Sequence, residues 1–362
     1  MEKINMNFSK KFEMLIGEGI LKEIGPLVFN ALKSISRVFI ITDETVSALY
    51  LSCVADSLKS SGFFVDSFVL KPGENSKSFS SVTKIYSKLV SCGFSRNDCI
   101  ISLGGGVIGD IAGFVASTYN RGMKLIHIPT TLLAMADSAI GGKAAVNIEE
   151  GKNLVGAFIH PELIVADTLV LRSLKKTEIS CGIAEVIKTA AIDDISFFNS
   201  LFSSLPLNYT SIIKSCAIIK SHFVAADEFD SGERRKLNFG HTFGHAFETA
   251  LDYRAKHGQC VALGMLYSAK LGEMFGITKA GTFKKLSECL TYFSLPSIEF
   301  SPSERERAFS LLAIDKKHSN SKIDMIFLSE IGSSFRMKIE VSTLVNSALK
   351  LNISEFILPK AL

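Results

Sequence analysis

Residues 99–110, CIISLGGGVIGD, decide the fold class. Their first five residues form a short apolar run, which is typical of a strand buried in a parallel sheet. Glycines at 104, 106 and 109 then satisfy the G-x-G-x-x-G spacing directly after that strand. Such glycines let the backbone approach a phosphate, and the helix that begins there offers free N–H groups. The stretch therefore predicts a strand, a glycine turn and a helix that can bind a dinucleotide.

Two features of this motif depart from the usual dinucleotide fingerprint. The motif follows a later strand instead of the first, and no suitable acidic residue stands about 20 positions downstream. The alternative interpretation is a tight turn that only packs the following helix on the sheet.

Short apolar runs alternate with helical patterns through the first half of the chain. The strand candidates are residues 38–42, 63–70, 99–103, 125–128 and 163–165. Helical stretches lie between them, and residues 78–91 place apolar side chains at helical spacing. Buried strands separated by helices predict an α/β domain with a doubly wound parallel sheet, and we assign it to residues 1–170.

The second half of the chain has a different pattern. Long helical stretches replace the β-branched runs after about residue 171. These stretches are residues 177–191, 212–228, 241–251, 261–275 and 283–293. The pattern predicts an all-helical second domain over residues 171–362.

Composition excludes several classes of protein. Of 362 residues, 47% are hydrophobic and 21% charged, so the chain can bury a sizeable core. A net charge of +4 is too small and too scattered to predict a nucleic-acid partner. We find no apolar run of about 18 residues, so no membrane span is expected. Charged residues near the start interrupt any signal-like segment, and the expected location is the cytoplasm. The 7 cysteines are spread singly without CxxC spacing, which predicts reduced thiols.

A second polar cluster, PTTLLAMADSAIGGK at residues 129–143, also follows a strand candidate. Threonine hydroxyls and a Gly-Gly-Lys sequence at the carboxyl end of a strand can bind phosphates or hydroxyls. Lys152 and Asn153 add a cation and an amide nearby in sequence. The alternative is ordinary helix capping by the threonines and the aspartate.

A third cluster, NFGHTFGHAFE at residues 238–248, contains two histidines four positions apart. On a helix His241 and His245 lie about 40° apart on one face, a common arrangement for zinc. Catalytic zinc needs a third protein ligand and an open position, and His257 or a carboxylate could complete the set. The spacing alone leaves open whether His245 binds metal or transfers protons.

Several charged residues have ordinary interpretations when each is taken alone. Glu185 and Lys188 stand at i and i+3 of a helical pattern, which favours an exposed ion pair. A solvated charged face is likewise the default for Lys220, Arg234 and residues 315–317.

Together, these segments occur in one order along nearly the whole chain and resemble the 3-dehydroquinate synthase family of sugar-phosphate cyclases. The matching motifs are residues 74–77, 104–110, 129–143, 152–153, 185–188, 234–245, 257–258 and 315–317. The resemblance implies a Rossmann-like N-terminal domain, a helical C-terminal domain, and a cleft between them for NAD and metal. It also implies the family's lyase reaction in the shikimate pathway. That reaction converts 3-deoxy-D-arabino-heptulosonate 7-phosphate to 3-dehydroquinate and phosphate.

The resemblance also assigns roles to individual residues. NAD would be surrounded by Asp43, Thr45, Glu74, Lys77, Gly105, Gly106, Val107, Asp110, Thr130, Thr131 and Lys152. Zinc (or cobalt) would be bound by Glu185, His241 and His257, which leaves His245 for catalysis. The substrate site would contain Asp137, Lys143, Asn153, Lys188, Lys220, Arg234, Asn238 and Lys317 (or its neighbour Lys316). Arg121 would reach the active site of a second copy of the chain, which implies a homodimer.

The chain departs from the family pattern at four positions. Ala139 and Ala144 stand where a serine and a threonine are usual, and Gln259-Cys260 replaces Glu-Ala. No proposed metal ligand or catalytic residue is lost, so only local hydrogen bonding is in question.

Three other functions compete with this interpretation. A metal- and NAD-dependent polyol dehydrogenase has no use for the phosphate-binding residues. A cyclase acting on sedoheptulose 7-phosphate has no substrate carboxylate for Lys220 and Arg234 to bind. A protein that only senses NAD needs no metal site.

Overall fold

The computed structural model describes residues 1–202, 206–295, 298–314 and 321–351. The chain divides into two compact units. The first unit is Met1–Leu174 together with Tyr209–Phe229, and the second is Lys175–Asn208 together with Asp230–Leu362. The first break in the chain thus falls four residues beyond the boundary of 170 expected from the sequence.

A seven-stranded sheet forms the centre of the first unit, in the order β1-β2-β9-β6-β5-β3-β4. The strands are β1 (Glu2–Asn7), β2 (Lys11–Gly17), β3 (Arg37–Asp43), β4 (Phe64–Leu70), β5 (Cys99–Gly104), β6 (Lys124–Pro129) and β9 (Leu163–Asp167). All neighbouring pairs are parallel except β1 with β2. The expected parallel sheet is present, with an additional N-terminal hairpin that the sequence patterns did not indicate.

The order of the strands creates a switch point at β3. The chain runs from β3 outward to β4 and then returns to place β5 on the other side of β3. Ligands of open α/β sheets bind at the carboxyl ends of strands where the winding direction changes. Asp43 ends β3 and Gly104 ends β5, so this position is where the glycine motif lies.

Helices of the first unit cover the sheet. They are α1 (Ile24–Ala31), α2 (Glu44–Val46), α3 (Ser52–Ser60), α4 (Phe79–Ser91), α5 (Gly106–Thr118) and α8 (Tyr209–Ala226). The side chain of Ser78 accepts a hydrogen bond from the Ser81 N–H and caps α4. Val82, Ile85 and Leu89 of that helix are buried in the core, as the periodicity predicts.

A small hairpin completes the first unit. β7 (Lys143–Ile148) and β8 (Gly151–Phe158) pair antiparallel, with a register shift between Val146 and Ile148. The sequence patterns did not indicate this hairpin, because its alanines, glycines and polar residues lack the β-branched run of a buried strand.

Helix α8 corrects the expected domain assignment. Its pattern at residues 212–228 suggested a helix of the second domain, but it packs against β1, β2 and the segment Ala134–Ser138 of the first unit. Ile212, Ile213, Cys216 and Ala217 are buried. Helical periodicity identifies the apolar face of a helix, but it does not identify the surface that this face covers.

The second unit is mostly helical. Its helices are α6 (Lys176–Asp193), α7 (Ile195–Ser200), α9 (His241–Ala250), α10 (His257–Met274), α11 (Thr282–Tyr292), α12 (Pro302–Ile314) and α13 (Val341–Leu349). The expectation of an all-helical domain is wrong for residues 322–340. There β10 (Lys322–Glu330) and β11 (Ser333–Glu340) form an antiparallel hairpin. Gly332, with a φ of 90°, supplies the left-handed residue that this tight turn requires.

Two further expectations concern membrane-spanning helices and the cysteines. Within the described ranges, no helix is both long enough and apolar enough to cross a bilayer. All seven cysteines are free thiols, and five of them are buried.

Candidate active site

Three potential metal ligands come together in the second unit. Glu185 lies on α6, while His241 and His257 are the first residues of α9 and α10. One ligand atom from each lies within 4.8 Å of those of the other two. Residues from three separate parts of the sequence thus form the three-ligand set that a catalytic metal site requires.

Distances within this cluster leave room for a cation. Oε1 of Glu185 lies 3.7 Å from Nε2 of His241 and 3.4 Å from Nε2 of His257. Both carboxylate oxygens are buried. The Lys188 ammonium lies 2.5 Å from Oε2, whereas Oε1 faces the two imidazoles. A buried carboxylate is costly unless cations compensate it, and Oε1 together with the two imidazoles forms a donor set for one further cation. The donor set therefore fits a divalent metal such as zinc or cobalt.

Hydrogen bonds to the other ring nitrogen orient both histidines. Nδ1 of His241 lies 3.3 Å from the carbonyl oxygen of Phe239. Nδ1 of His257 lies 3.3 Å from Oε1 of Glu248. An N–H donated at Nδ1 leaves the lone pair on Nε2, which is how second-layer residues commonly orient metal ligands.

The charges in the cluster affect one another. Burial disfavours ionisation of Glu185, but the Lys188 ammonium and the two histidines hold the pKa of this carboxyl well below its usual range. Burial lowers the pKa of His241 to about 3. Burial also disfavours the charged form of His257, yet the Glu185 and Glu248 carboxylates raise the pKa of this imidazole to about 10. A metal ion would displace that proton, because it binds the neutral ring.

A second group of potential ligands shares His257. His245, Glu248 and His257 also bring their ligand atoms within 4.8 Å of one another. In this group Glu248 faces Nδ1 of His257, whereas Nε2 faces Glu185. The geometry therefore favours Glu185, His241 and His257 as the metal ligands. The exposed His245 lies beside them, with its ring centroid 5.4 Å from that of His241.

Two cations near this cluster are buried, which corrects the interpretation of exposed charges. Lys188 is 1% exposed, and its Nζ lies 2.5 Å from Oε2 of Glu185. Arg234 is 3% exposed. Spacing within one helix cannot reveal this burial, because it results from packing against other elements of the fold.

In the first unit, the glycine turn packs so closely against neighbouring side chains that larger residues would crowd it. Gly105 precedes α5, and Gly106 is its first residue. A Cβ atom on Gly105 would stand 3.1 Å from Cγ2 of Thr131, and one on Gly106 would stand 3.1 Å from Oγ of Ser138. Oγ1 of Thr130 is buried and has no hydrogen-bond partner among the described residues. These features fit a phosphate group bound at the N-terminus of α5.

The capping interpretation is confirmed for Thr131 of the second polar cluster, and Asp43 caps a helix as well. The side chain of Asp43 caps α2 by accepting hydrogen bonds from the N–H groups of Thr45 and Val46. Oγ1 of Thr131 accepts a hydrogen bond from the N–H of Ala134. Capping therefore fixes side chains at the carboxyl ends of β3 and β6, and it does not exclude a ligand there.

Lys77 is the centre of a polar network at the same edge of the sheet. This lysine is 4% exposed, and its Nζ donates to Oδ2 of Asp110 and to Oδ1 of Asn153. Burial raises the pKa of Asp110, and the Lys77 ammonium opposes that effect. Oε1 of Glu74 accepts a hydrogen bond from Nδ2 of Asn147 at 2.7 Å.

Lys220 interacts with Asp137. Its Nζ donates to the carbonyl oxygen of Asp137 at 2.6 Å and to Oδ1 at 2.8 Å. Lys220 is 6% exposed, so the interpretation of this lysine as part of a solvated, charged surface is also wrong. Arg234 belongs to the second unit, whereas Lys220 belongs to the first.

The remaining sequence candidates are distributed over both units. In the first unit, Lys143 begins β7, Lys152 lies on β8, and Arg121 is exposed with a left-handed φ of 65°. In the second unit, Asn238 is exposed just before α9. Lys317 and its neighbours at 315–316 lie outside the described residues.

The departures from the family pattern have local explanations at two positions. Oε1 of Gln259 accepts the Lys256 N–H at 2.9 Å and so caps the start of α10. A Cβ on Gly113 of α5 would stand 2.7 Å from Cβ of Ala144, so the small side chain permits close packing of α5 on β7. Cys260 and Ala139 are buried, and nothing in the structure explains their identity.

Sequence reasoning missed the roles of Asn147 and Glu248. Glu248 stands three positions after His245, and the quoted motif contained it without assigning it a partner. Helical spacing could have placed Glu248 beside these histidines, but its contact with His257 depends on the packing of α9 against α10. No local pattern marks Asn147.

The chain is similar to proteins of known function over most of its length. A family model described as 3-dehydroquinate synthase N-terminal matches residues 67–181, and its C-terminal counterpart matches residues 182–318. A curated 3-dehydroquinate synthase of Clostridium acetobutylicum is 41% identical over 347 residues, which is 94% of this chain and 97% of the relative.

Solved structures share the fold. A 2-deoxy-scyllo-inosose synthase complexed with carbaglucose-6-phosphate, NAD⁺ and Co²⁺ superposes with a TM-score of 0.85 at 24% identity, covering 96% of this chain and 99% of that one. The 2-epi-5-epi-valiolone synthase of Streptomyces hygroscopicus, with NAD⁺ and Zn²⁺ bound, gives a TM-score of 0.82 at 25% identity, covering 93% and 95%.

Proposed function

The chain belongs to the 3-dehydroquinate synthase family and has that family's activity, and on this premise we propose which residues carry each part of the reaction. The substrate is 3-deoxy-D-arabino-heptulosonate 7-phosphate, and the products are 3-dehydroquinate and phosphate. When bound, NAD supplies transient hydride transfer, and zinc or cobalt supplies a Lewis acid that polarises substrate oxygens. The residues of the chain must therefore bind two anionic groups, hold both cofactors and transfer protons.

The first unit is proposed to bind NAD and the phosphate of the substrate. The glycine turn and the N-terminus of α5 would hold the pyrophosphate of NAD, because free N–H groups at a helix N-terminus bind phosphate. A Cβ at either glycine would crowd this position. The residues proposed to surround NAD are Asp43, Thr45, Glu74, Lys77, Gly105, Gly106, Val107, Asp110, Thr130, Thr131 and Lys152. Lys143 and Asn153 would bind the leaving phosphate, whose negative charge needs a cation as the C–O bond breaks. Lys220, held by Asp137, would help Arg234 of the second unit to bind the substrate carboxylate.

The second unit is proposed to bind the metal and the substrate carboxylate. Glu185, His241 and His257 would bind the metal, with an open position for substrate hydroxyls. His245 would transfer a proton, because it is exposed next to the cluster without belonging to the favoured ligand set. Arg234 would bind the carboxylate through its planar guanidinium, while Lys188, Asn238 and Lys317 would contact other substrate oxygens.

The observation that carries the metal assignment is the buried Glu185 carboxylate between two histidines. A polyol dehydrogenase would use a metal as well, so the assay must follow both products and cofactor. Purified protein is incubated with the heptulosonate phosphate, zinc and a catalytic amount of NAD. We expect phosphate and dehydroquinate in equal amounts without accumulation of NADH. Stoichiometric NADH would instead identify a dehydrogenase.

The carboxylate assignment is tested with Arg234→Lys. Lysine keeps the charge but loses the bidentate geometry, so kcat/KM for the carboxylated substrate should fall about ten- to a hundredfold. NAD affinity should stay within about twofold, because the proposed NAD residues lie in the first unit. The matched control is Arg235→Lys, which changes a neighbouring arginine paired with Asp324. An unchanged kcat/KM would show that Arg234 does not bind the carboxylate.

The assembly and the location are also proposals. We propose a homodimer in which Arg121 reaches the active site of the second copy. The exposure of Arg121 and its left-handed backbone support a role outside the core of its own unit. We place the enzyme in the cytoplasm, where its reduced cysteines are stable.

A further inference from the structure

Asn147 of β7 lies opposite a bulge in β8, where residues 152–154 all face this one position. The pairing passes from Val146↔Val155 to Ile148↔Gly151, which leaves Asn147 out of the ladder. Its N–H donates instead to the carbonyl oxygen of Lys77 at 2.8 Å. A bulge redirects a side chain away from the regular alternation of the strand, and bulges are frequent beside active sites.

The amide of Asn147 contacts two separate segments. Its Nδ2 donates to Oε1 of Glu74 at 2.7 Å, and its Oδ1 accepts from the N–H of Asn153 at 3.0 Å. An asparagine can make both contacts because one amide carries a donor and an acceptor. Glu74 precedes α4, and Asn153 follows the turn of the hairpin.

Asn153 itself is held in an uncommon conformation. Its φ is 58°, in the left-handed region that costs free energy for most side chains. Its N–H is fixed by Asn147, and its side-chain oxygen accepts from Nζ of Lys77. Lys77 also pairs with Asp110 of α5. The contacts therefore form a closed network in which Asn147 joins the Glu74–Lys77 turn to the Asn153 loop.

We propose that Asn147 is a positioning residue that couples NAD binding to substrate phosphate binding. The inference rests on the proposed function, which gives Glu74 to NAD and Asn153 to the phosphate. Asn147 contacts neither ligand in this scheme. Its donor fixes the Glu74 carboxylate, and its acceptor fixes the backbone that directs the Asn153 amide.

Two substitutions separate the donor from the acceptor. Asn147→Ala removes both hydrogen bonds. Asn147→Asp keeps an acceptor for the Asn153 N–H but places a second carboxylate against Glu74. NAD binding and substrate phosphate binding should therefore respond differently in the two variants. A loss of hairpin stability would instead weaken both kinds of binding in both variants.

The experiment combines hydrogen exchange with binding on the full-length zinc enzyme. Exchange of the Asn153 amide should accelerate in Asn147→Ala and stay near the wild-type rate in Asn147→Asp. NAD affinity, measured by calorimetric titration without substrate, should weaken about tenfold in both variants. The substrate KM should rise about tenfold in Asn147→Ala only, with zinc content unchanged. The control Glu150→Gln, at the exposed tip of the hairpin, should change none of these values.

Two reference variants distinguish failure of this inference from failure of the proposed function. Glu74→Gln should weaken NAD binding, and Asn153→Ala should raise the substrate KM. If both do so while Asn147→Ala and Asn147→Asp leave affinity, KM and exchange at wild-type values, the coupling is wrong. If neither reference variant has an effect, the proposed ligand roles of Glu74 and Asn153 are wrong. The proposed coupling is then wrong as well, even if exchange of the Asn153 amide accelerates.

Discussion

At the scale of single residues, one of the proposed metal ligands, His257, is oriented by a carboxylate outside the proposed ligand set. Glu248 is 8% exposed and lies 3.3 Å from Nδ1 of His257. A carboxylate in this position fixes the ring orientation and makes the ligand nitrogen more basic. It thus belongs to the functional site although the sequence motif assigned it no role.

We predict that Glu248→Gln weakens zinc binding about ten- to a hundredfold. The amide has nearly the same shape but is a poorer acceptor, so the helix should remain folded. Zinc affinity is measured by competition with a chromophoric chelator. The matched control, Glu178→Gln, removes a carboxylate that pairs with Lys256 and faces no histidine of the cluster. Equal zinc affinity of Glu248→Gln and wild type would exclude this role for Glu248.

At the scale of elements, two of the three proposed metal ligands are the first residues of helices. His257 begins α10, and the cap of that helix is completed by Gln259. The family usually has a glutamate there, and the amide oxygen of Gln259 still accepts the Lys256 N–H. The hydrogen bond from Gln259 to the Lys256 N–H is therefore kept without the negative charge of a glutamate.

Gln259→Ala should lower both stability and metal affinity. Loss of the cap should cost about 1 kcal/mol of unfolding free energy. Fraying of the first turn should also weaken zinc binding severalfold, because His257 lies in that turn. Gln259→Glu keeps an acceptor for the Lys256 N–H, so it serves as the control and should retain zinc affinity. Denaturant unfolding and zinc competition measure the two effects, and equal loss in both variants would argue against capping as the cause.

A second prediction at this scale concerns Glu228, which follows α8. Its Oε1 lies 2.8 Å from Nε2 of His160, and its Oε2 accepts the Ser9 N–H at 3.0 Å. Burial works against ionisation, but the bonds from Ser9 and His160 hold the pKa of Glu228 below its ordinary value of 4.5. A lowered pKa means that folding favours the ionised form, so this stabilisation is present above pH 4.5 and is lost as the pH falls through the folded pKa.

Glu228→Gln should therefore destabilise the protein by about 1 kcal/mol at neutral pH. The difference from wild type should shrink as the pH falls below the ordinary glutamate value. Chemical denaturation over a series of pH values measures it. Glu162→Gln changes a nearby carboxylate paired with Lys10 and serves as the control. A difference that stays constant down to acidic pH would contradict the linkage.

At the scale of the whole molecule, the two units divide the ligands between them. All proposed NAD residues lie in the first unit, and all proposed metal ligands lie in the second. In the first unit, the switch point of a parallel sheet would bind NAD. In the second unit, three converging helices would bind the metal.

Removal of the metal should therefore separate the two functions. A strong chelator should abolish phosphate release and leave the calorimetric affinity for NAD within about twofold, since the proposed NAD residues and the proposed metal ligands belong to different units. Added zinc or cobalt should restore turnover. Parallel loss of NAD affinity would show that the NAD site depends on the metal, contrary to this division.

The sequence by itself determined the parallel sheet, the glycine turn and the histidine helix. These features are local: alternating buried strands and helices, glycine spacing and helical periodicity are all visible within short windows. The order of the motifs also identified the family, because eight separated segments together carry far more information than one.

Only the tertiary structure decided which residues meet. It assigned α8 to the first unit, buried Lys188 and Arg234, paired Lys220 with Asp137, and joined Glu248 to His257. Burial and these contacts depend on which surfaces pack together: Lys220 and Asp137 are 83 positions apart, and Glu248 meets His257 only because α9 packs against α10. The bulge opposite Asn147 is the same kind of feature, since the Asn147 side chain acquires a role only where the hairpin meets the Glu74–Lys77 turn.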